Sequence, residues 1–349
     1  MSRLDDALTL VRMASVSRHE AALAAHVESR LRTATHLEVE RVGDNVIART
    51  VGLHATRVLV AGHLDTVPGE SATARIEGDF LHGLGAVDMK ASLAVMLELA
   101  VDPTPRSVEV TWVFYAREEV SRGESGLVEV AELRPDLLAA DVAVLGEPTA
   151  CAVEAGCQGS MRVLVRLKGV RAHSARPHQG RNAIHRLGGL LELVAGYEPR
   201  VVDLDGVTYV EQLQAVFVEG GVAGNVVPDE ASVVLNHRVA PDRDRRAATD
   251  WLIGYLDAVV EDTDEIDVQD WAPPAAPSLA NARLSHLVEL TGRDVRAKVG
   301  WTDVATFSER GIPATNFGVG DPLLAHTTDE VVSAKELDEY ARVLGEWLR

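Results

Sequence analysis

Apolar residues in the first half of the chain follow helical and extended patterns in alternation. Residues 4–34 repeat apolar side chains at three- and four-residue spacing, which predicts two amphipathic helices separated by the polar break SVSRHE. Residues 90–100, KASLAVMLELA, predict another helix. Three β-branched, apolar runs predict buried strands, at 57–69, 108–116 and 141–149. Strands that alternate with helices predict an α/β fold with a mixed or parallel sheet.

The pattern changes after about residue 160. The strand-like run MRVLVRLKGV is followed by a helix near 183–195, strands near 209–219 and 231–239, and a helix near 246–261. This order predicts a small α+β layer of the βαββαβ, or ferredoxin-like, type. The stretch WAPPAAPSL has the Pro-rich composition of a linker that returns to the first domain. We interpret 161–269 as an insertion, so that 1–160 and 270–349 form one domain.

Length and charge narrow the classes of partner. A chain of 349 residues, 46 % hydrophobic and 25 % charged, is an ordinary globular protein of a length that favours two domains. Its 53 acidic and 34 basic residues give a net charge of −19, which disfavours nucleic acid and anionic membranes as partners.

The segment MSRLDDALTL lacks the apolar run of a signal peptide, and no stretch approaches the roughly 18 apolar residues of a membrane helix. We therefore expect a cytoplasmic protein. Cys151 and Cys157 are too few for a disulfide framework, and we expect both to be core residues.

Histidine and carboxylate residues come directly after the predicted strands. Residues two apart on an extended chain face the same side, so Asp65 can hold one nitrogen of His63 while the other binds a cation. Glu118 and Glu119 would face opposite sides, so that one binds metal and the other holds a water. Glu147 ends the third strand. The alternatives are an imidazole–carboxylate bond without metal and a solvated acidic loop.

Two further candidates lie in glycine-containing loops. Asp88, in HGLGAVDMK, could bridge two cations with its two oxygens, or could cap the helix that follows. His326 lies in GDPLLAHTTDE, before a final helix. GLGAVD lacks the lysine and hydroxyl of a phosphate-binding loop, and no glycine fingerprint for a dinucleotide follows the first strand. Nucleotide binding is therefore disfavoured.

Five motifs, taken together and in this order, resemble the di-zinc family that contains aminoacylases, carboxypeptidases and amino-acid deacylases. They are GHLDTVP (62–68), GLGAVDMK (83–90), AREE (116–119), GEPT (146–149) and HTTDE (326–330). The resemblance extends over essentially the whole chain, and the insertion resembles the family's lid and dimerisation domain. It implies a mixed-sheet hydrolase domain that binds two divalent metal ions. Zinc is the family's metal, although such ligands also accept cobalt or manganese.

The resemblance also implies a role for each candidate. His63 and Glu147 would bind one metal ion, Glu119 and His326 the other, and Asp88 both. Asp65 would orient His63, and Glu118 would be the general base. His173, in RAHSARP, would donate to the oxyanion in the active site of the partner subunit, which implies a homodimer through the lid domain. By its local sequence alone, His173 would be a solvated residue on an arginine-rich loop.

Longer segments, among them EAGCQGSMRV and GGVAGNVVPDEA, resemble the branch that acts on N-succinyl-LL-2,6-diaminopimelate. The implied reaction is hydrolysis of its amide to succinate and LL-2,6-diaminopimelate, in lysine and diaminopimelate biosynthesis. Arg238 and Asn225 match positions that contact substrate, and we expect Ser160 and Thr302 nearby. Arginine suits a carboxylate because its fork donates two parallel bonds, although Arg238 could also be an ordinary strand-surface residue.

One departure and three alternatives stay open. Where the proteobacterial form has two arginines this chain has Cys157 and Gln158, and Arg176 or Arg181 could compensate. The same chemistry could instead act on N-acetylornithine or another anionic N-acyl amino acid, or serve a carboxypeptidase-like hydrolase. A non-catalytic binding module on this fold would be expected to lack the base or a ligand, whereas this chain has Glu118 and all five ligands.

Overall fold

The computed structural model describes residues 2–52, 54–70 and 72–349. The chain forms two compact units. Unit 1 consists of Met1–Gly156, Pro277–Lys298 and Thr302–Arg349, and unit 2 of Cys157–Ala276 and Val299–Trp301. In the part of the chain that the structure describes, no helix has the length and apolar character needed to cross a bilayer.

Helices occupy much of both units. Their bounds are α1 (Arg3–Arg12), α2 (Ala21–Leu31), α3 (Ala91–Val101), α4 (Gly126–Leu133), α5 (Ala183–Ala195), α6 (Arg245–Leu256), α7 (Ala282–Thr291), α8 (Val304–Ser308) and α9 (Ala334–Trp347). The first and last helices begin with capping boxes, formed by Ser2 with Asp5 and by Ser333 with Glu336. In each, the serine and the acidic residue satisfy backbone N–H groups that the first turn leaves open. The two helices predicted over 4–34 are confirmed, with the break where SVSRHE lies.

Strands alternate with these helices. Their bounds are β1 (Leu37–Val42), β2 (Asn45–Thr50), β3 (Arg57–His63), β4 (Arg75–Glu77), β5 (Phe80–His82), β6 (Glu109–Tyr115), β7 (Val142–Leu145), β8 (Glu154–Ala155), β9 (Gly159–Lys168), β10 (Ala172–His173), β11 (Val201–Leu204), β12 (Val207–Val210), β13 (Gln212–Gly220), β14 (Val226–Val227), β15 (Glu230–Val239), β16 (Glu265–Ala272), β17 (Arg296–Ala297), β18 (Ala314–Asn316) and β19 (Val331–Ser333).

Unit 1 is built on a mixed sheet. Among the described residues its strand order is β1-β2-β6-β3-β7-β18-β8-β17, and β6, β3, β7 and β18 run parallel. These central strands are buried on both faces, which explains their continuous apolar runs. His63 lies opposite Tyr115, and Ala61 opposite Leu145, so β3, β6 and β7 end almost level with one another. Residues that follow these three strands therefore meet at one edge, and the α/β class with a mixed sheet is confirmed.

Unit 2 contains an antiparallel sheet with the order β13-β15-β9-β16. Alternate residues of β9 and β15 are buried, and they form an apolar core with residues of α5 and α6. This is the βαββαβ order that the hydrophobic pattern predicts. The opposite sheet face is more polar, and on it Ser160 of β9 lies directly opposite Arg238 of β15. Short pairs, β10 with β14 and β11 with β12, complete the described strands of the unit.

Candidate metal centre

His63, the last residue of β3, presents one imidazole nitrogen to a cluster of carboxylates. Its Nδ1 lies 3.0 Å from the main-chain oxygen of Asp65 and 3.5 Å from the Asp65 carboxylate. Its Nε2 lies 2.9 Å from Oδ1 of Asp88. An Nδ1–H that donates to the carbonyl leaves the lone pair of Nε2 available to a cation. The hydrogen bond that orients the ring is to the main chain of Asp65 rather than to its carboxylate.

The Asp65 carboxylate is fully buried and holds a different part of the site. It accepts hydrogen bonds from the Ser17 hydroxyl (2.7 Å), the Glu118 N–H (2.9 Å) and the Glu119 N–H (3.0 Å). Asp65 thus fixes the backbone of both adjacent glutamates. Sequence reasoning missed Ser17; its signal was the polar break between the first two helices, which the structure places against Leu64 and Thr66.

A second buried carboxylate fixes the residue that precedes the two glutamates. Arg117 has a left-handed backbone, with φ of 62°, and its N–H donates to Oε1 of Glu20 at 3.1 Å. Glu20 also accepts the Arg18 N–H at 2.9 Å and is fully buried. Three consecutive N–H groups, from 117 to 119, are therefore held by acidic side chains. Sequence reasoning also missed Glu20, which belongs to the same polar break.

Asp88 lies between the two predicted histidine ligands. Oδ1 faces His63, and Oδ2 lies 3.4 Å from Nε2 of His326, which is itself 2.7 Å from Oε1 of Glu119. Ligand atoms of His63, Asp88 and Glu119 all lie within 4.8 Å of one another. The alternative that Asp88 caps a helix is wrong, because Lys90 precedes α3 at the N-cap position and no side chain caps it. The two oxygens of Asp88 face different imidazoles, as a bridging carboxylate requires.

Glu147 follows β7 and is only 5 % exposed. Its Oε1 is buried without a hydrogen-bond partner among the described residues. Burial and the nearby Asp88 carboxylate raise the pKa of Glu147 to about 7. The Nζ of Lys298 donates to the Pro148 carbonyl at 3.1 Å, and Gly318 packs where any side chain would overlap the carbonyls of Gly146 and Glu147. Lys298 has no local sequence signal, and sequence reasoning missed it.

The cluster carries more negative than positive charge. Burial and the Glu147 carboxylate raise the pKa of Glu118 well above its ordinary value. Burial also raises the pKa of Asp88, but hydrogen bonds from His326 and His63 outweigh it and keep that pKa below its usual range. Over residues 2–52, 54–70 and 72–349, no lysine or arginine forms an ion pair with Glu118, Glu119, Asp88 or Glu147.

These donors fit divalent cations. Imidazole nitrogen and carboxylate oxygen are ligands that zinc and related ions prefer, and the unpartnered oxygen of Glu147 lacks the hydrogen bond a buried carboxylate normally has. Cations would also relieve the repulsion that raises the pKa values of Glu118 and Glu147. The structure brings His63, Asp88, Glu119 and His326 into direct contact, and Glu147 interacts electrostatically with this group.

His173 and Asn225 are neighbours within unit 2. His173 pairs with Val226, and the Ser174 N–H donates to the main-chain oxygen of Asn225 at 3.0 Å. The Ala175 N–H lies 3.1 Å from Nδ1 of His173. An Nδ1 that accepts this bond leaves the proton of a neutral imidazole on Nε2, so the exposed His173 ring offers an N–H donor to solvent.

Arg238 is partly buried, and its guanidinium has neither a hydrogen bond nor an ion pair with the described residues. Burial lowers the pKa of its guanidinium. Ser160 lies opposite it, and the amide of Asn236 donates to the Ser160 hydroxyl at 3.4 Å. Arg181, in contrast, pairs with Glu261.

Thr302 belongs to unit 1, is 2 % exposed and donates to Asn316 at 2.9 Å. Its contact with substrate stays a prediction.

The chain is similar to known proteins over nearly its whole length. A Corynebacterium glutamicum succinyl-diaminopimelate desuccinylase is 43 % identical over 346 residues, which cover 97 % of this chain and 94 % of the relative. A Mycobacterium tuberculosis (strain ATCC 25618 / H37Rv) protein with the provisional name succinyl-diaminopimelate desuccinylase DapE is 48 % identical, over 97 % of this chain and 96 % of the relative.

Among solved structures, aminopeptidase PepT from Bacillus cereus ATCC 10987 has the same fold. Its TM-score is 0.80 at 18 % identity, over 99 % of this chain and 97 % of that one. The model of peptidase family M20/M25/M40 matches residues 59–349, which include every predicted metal ligand. The chain therefore belongs to peptidase family M20/M25/M40.

Proposed function

We propose that this protein is a cytoplasmic amidohydrolase that uses two divalent metal ions, most simply zinc, to hydrolyse N-succinyl-LL-2,6-diaminopimelate to succinate and LL-2,6-diaminopimelate. The observation that carries the proposal is the cluster in which Asp88 lies between His63 and His326, with Glu119 and Glu147 beside it. The names of relatives 43 % and 48 % identical over nearly the whole chain support the choice of substrate.

We assign a separate role at the reacting amide to each residue of the cluster. His63 and Glu147 would hold one cation, Glu119 and His326 the other, and Asp88 both. Bound there, the cations would supply Lewis-acid polarisation of the amide carbonyl and lower the pKa of the attacking water. Glu118 is left without a hydrogen-bond partner for its side chain among the described residues, while Asp65 holds its N–H. Its carboxylate is therefore free to take the proton from the water.

Glu118 then moves that proton to the nitrogen that leaves. When the tetrahedral species collapses, the carbon–nitrogen bond breaks and the amine needs one proton, which protonated Glu118 supplies. The net reaction consumes one water and returns Glu118 to its starting state.

Charge that develops on the carbonyl oxygen needs a hydrogen-bond donor. We propose that His173 supplies it through Nε2–H, from the partner subunit of a homodimer. The Ala175 N–H supports this role because it occupies Nδ1 and leaves the proton on Nε2. A preorganised donor of this kind stabilises the oxyanion without rearrangement during the reaction.

Arg238 is the residue best suited to the succinyl carboxylate. In a chain of net charge −19, a partly buried guanidinium without a protein carboxylate partner is available to an anionic ligand. Its fork can donate two parallel hydrogen bonds to a carboxylate. Ser160, directly opposite on β9, and Asn225 would add neutral donors. The acetyl group of N-acetylornithine has no carboxylate there, so Arg238 favours a succinyl substrate.

Metal removal is expected to abolish turnover of N-succinyl-LL-2,6-diaminopimelate and to lower the melting temperature. Cations that bind only the folded site stabilise it by about 4 kcal/mol per site when free metal is 1,000 times Kd. Calorimetric melting in a chelator and after zinc addition measures the shift. Asp88→Asn is the matched variant, and its melting temperature should respond less to zinc. Equal melting temperatures of the unmodified protein in chelator and in zinc would contradict the metal site.

We propose that the second copy of a homodimer pairs with the outer edge of β13 in unit 2, the lid domain. Val216, Phe217 and Val218 are 57 %, 61 % and 50 % exposed on this strand, which ends the order β13-β15-β9-β16. An open strand edge with exposed apolar side chains is a template for strand pairing, and two copies can pair symmetrically.

Replacing both Val216 and Val218 by lysine is expected to give a monomer, because the charges of two copies would face each other across the pairing. Sedimentation or light scattering should give twice the 37.5 kDa chain mass for the unmodified protein and the single-chain mass for the variant. Leu133→Lys, at a residue 64 % exposed on unit 1, is the control. If the unmodified protein is monomeric at assay concentration, the proposed dimer is refuted.

A further inference from the structure

Glu330 is a buried carboxylate beside the metal cluster that has no role in the mechanism above. It is the last residue of the motif HTTDE, four positions after His326, and is 1 % exposed. Burying a carboxylate is costly unless hydrogen bonds compensate it. The hydrogen bonds that the Glu330 carboxylate accepts therefore indicate its role.

The main chain of Glu330 joins the two segments that carry Asp88 and His326. Val331 of β19 pairs with His82 of β5, and the Glu330 carbonyl continues that pairing by accepting the Gly83 N–H at 3.1 Å. From Gly83 the chain runs to Asp88, and from Glu330 it runs back to His326. The backbone hydrogen bond between Glu330 and Gly83 therefore ties together the segment that leads to Asp88 and the segment that leads to His326.

The side chain of Glu330 then reaches the turn that presents Asp88. Its Oε2 accepts the Val87 N–H at 2.9 Å and the Asp88 N–H at 3.4 Å. Two adjacent N–H groups that point to one oxygen fix the orientation of the Asp88 backbone. The Asp88 side chain starts from that backbone and has to reach both His63 and His326.

The second carboxylate oxygen of Glu330 is not satisfied in the same way. Its Oε1 is buried without a hydrogen-bond partner in the part of the chain described. A buried polar atom without a partner lowers stability, and this offsets part of the gain from the Val87 and Asp88 N–H groups at Oε2. The hydrogen bonds of Oε2 go to the turn that carries Asp88, so they point to the geometry of the metal cluster as a benefit of a carboxylate at this position.

We propose that Glu330 is a positioning residue that holds the peptide of Asp88 so that both carboxylate oxygens face the metal ions. The inference rests on the proposed function, because it requires that Asp88 binds metal. Glu330 touches neither substrate nor metal in this account and acts only through the Asp88 backbone. Partners that orient metal ligands in this indirect way typically change affinity by about 10- to 100-fold when they are removed.

The test is the Kd for zinc of metal-free protein, measured by competition with a chelator of known affinity. Glu330→Ala is expected to raise the zinc Kd by about 10- to 100-fold. Glu330→Gln keeps an acceptor oxygen for the Val87 and Asp88 N–H groups and is expected to bind zinc nearly as the unmodified protein does. Glu330→Asp keeps the charge but shortens the side chain by one methylene, and should weaken binding. This pair remains informative if the alanine variant does not fold.

Glu109→Ala is the matched control for loss of a buried carboxylate. Glu109 is 3 % exposed in unit 1 and accepts from the Thr50 hydroxyl (2.6 Å) and the His54 N–H (3.2 Å). Its loss should lower the melting temperature without changing the zinc Kd. If the unmodified protein binds no zinc, the proposed function fails. If it binds zinc and Glu330→Ala or Glu330→Asp binds equally well, the role of Glu330 is refuted.

Discussion

Replacing Glu118 by glutamine is expected to lower kcat by about 10²- to 10⁴-fold with little change in KM. Glutamine has nearly the same shape but cannot accept the proton of the attacking water or return it to the leaving amine. The hydrogen bond from the Glu118 N–H to the Asp65 carboxylate does not involve the Glu118 side chain and should persist. Steady-state rates on N-succinyl-LL-2,6-diaminopimelate, with bound metal measured in the same samples, check the result.

Glu124→Gln is the control for this variant. Glu124 lies a few residues further along the chain, is exposed and pairs with Arg18 at 2.8 Å, so we expect it to have no contact with the reacting atoms. Its replacement should leave kcat unchanged. Near-normal turnover by Glu118→Gln with both metal ions bound would assign the general base to another residue.

Replacing Arg238 by alanine is expected to lower kcat/KM for the succinyl substrate by about 10²- to 10³-fold. The loss leaves the succinyl carboxylate without its charged partner in a site that is partly buried. The same variant should hardly change kcat/KM for N-acetyl-LL-2,6-diaminopimelate, which has no carboxylate on its acyl group. The expected outcome is therefore a loss of discrimination between the two acyl groups.

Arg162→Ala controls for the loss of an arginine from the same sheet face. Arg162 is paired with Asp270 at 2.8 Å, one row along the strands from Arg238. Its removal should leave kcat/KM unchanged for both the succinyl and the acetyl substrate. An equal loss on the succinyl and acetyl substrates after Arg238→Ala would show that Arg238 does not bind the succinyl carboxylate.

The sheet and the residues at its edge could be predicted because the sequence signal is local. Continuous apolar runs end just before His63, Glu118 and Glu147, and parallel neighbours bring the ends of such runs together. The same reasoning predicted the order of elements in unit 2. Asp88 and His326 were candidates because of their glycine-containing loops, but strand ends do not place loop residues, and the resemblance of the motifs supplied their roles in the site.

The residues that hold the site's backbone were not predicted. Glu20, Ser17 and Glu330 form hydrogen bonds with segments distant in sequence, and an isolated polar residue leaves no periodic pattern. Asp65 was predicted to lie beside His63, and it does. However, its main-chain oxygen accepts the hydrogen bond from the His63 ring, whereas its carboxylate accepts the N–H groups of Glu118 and Glu119. Such contacts depend on the tertiary fold.

The roles of the unit 2 residues also depend on more than pattern. His173 on a polar loop has the local sequence of a solvated histidine, and only the bond from the Ala175 N–H distinguishes its ring nitrogens. Arg238 alternates with buried residues on β15, as any strand-surface residue would. Among the described residues its guanidinium has no partner, and this property of its surroundings in the fold is what supports the proposed contact with an anionic ligand.

The most direct test of the central claim is turnover by zinc-loaded protein on N-succinyl-LL-2,6-diaminopimelate and N-acetylornithine in parallel assays. We expect release of succinate in the presence of zinc, none in chelator, and a much lower kcat/KM for N-acetylornithine. Efficient hydrolysis of N-acetylornithine without hydrolysis of the succinyl substrate would contradict the proposed substrate. Turnover of the succinyl compound that is undiminished in chelator would contradict the metal centre itself.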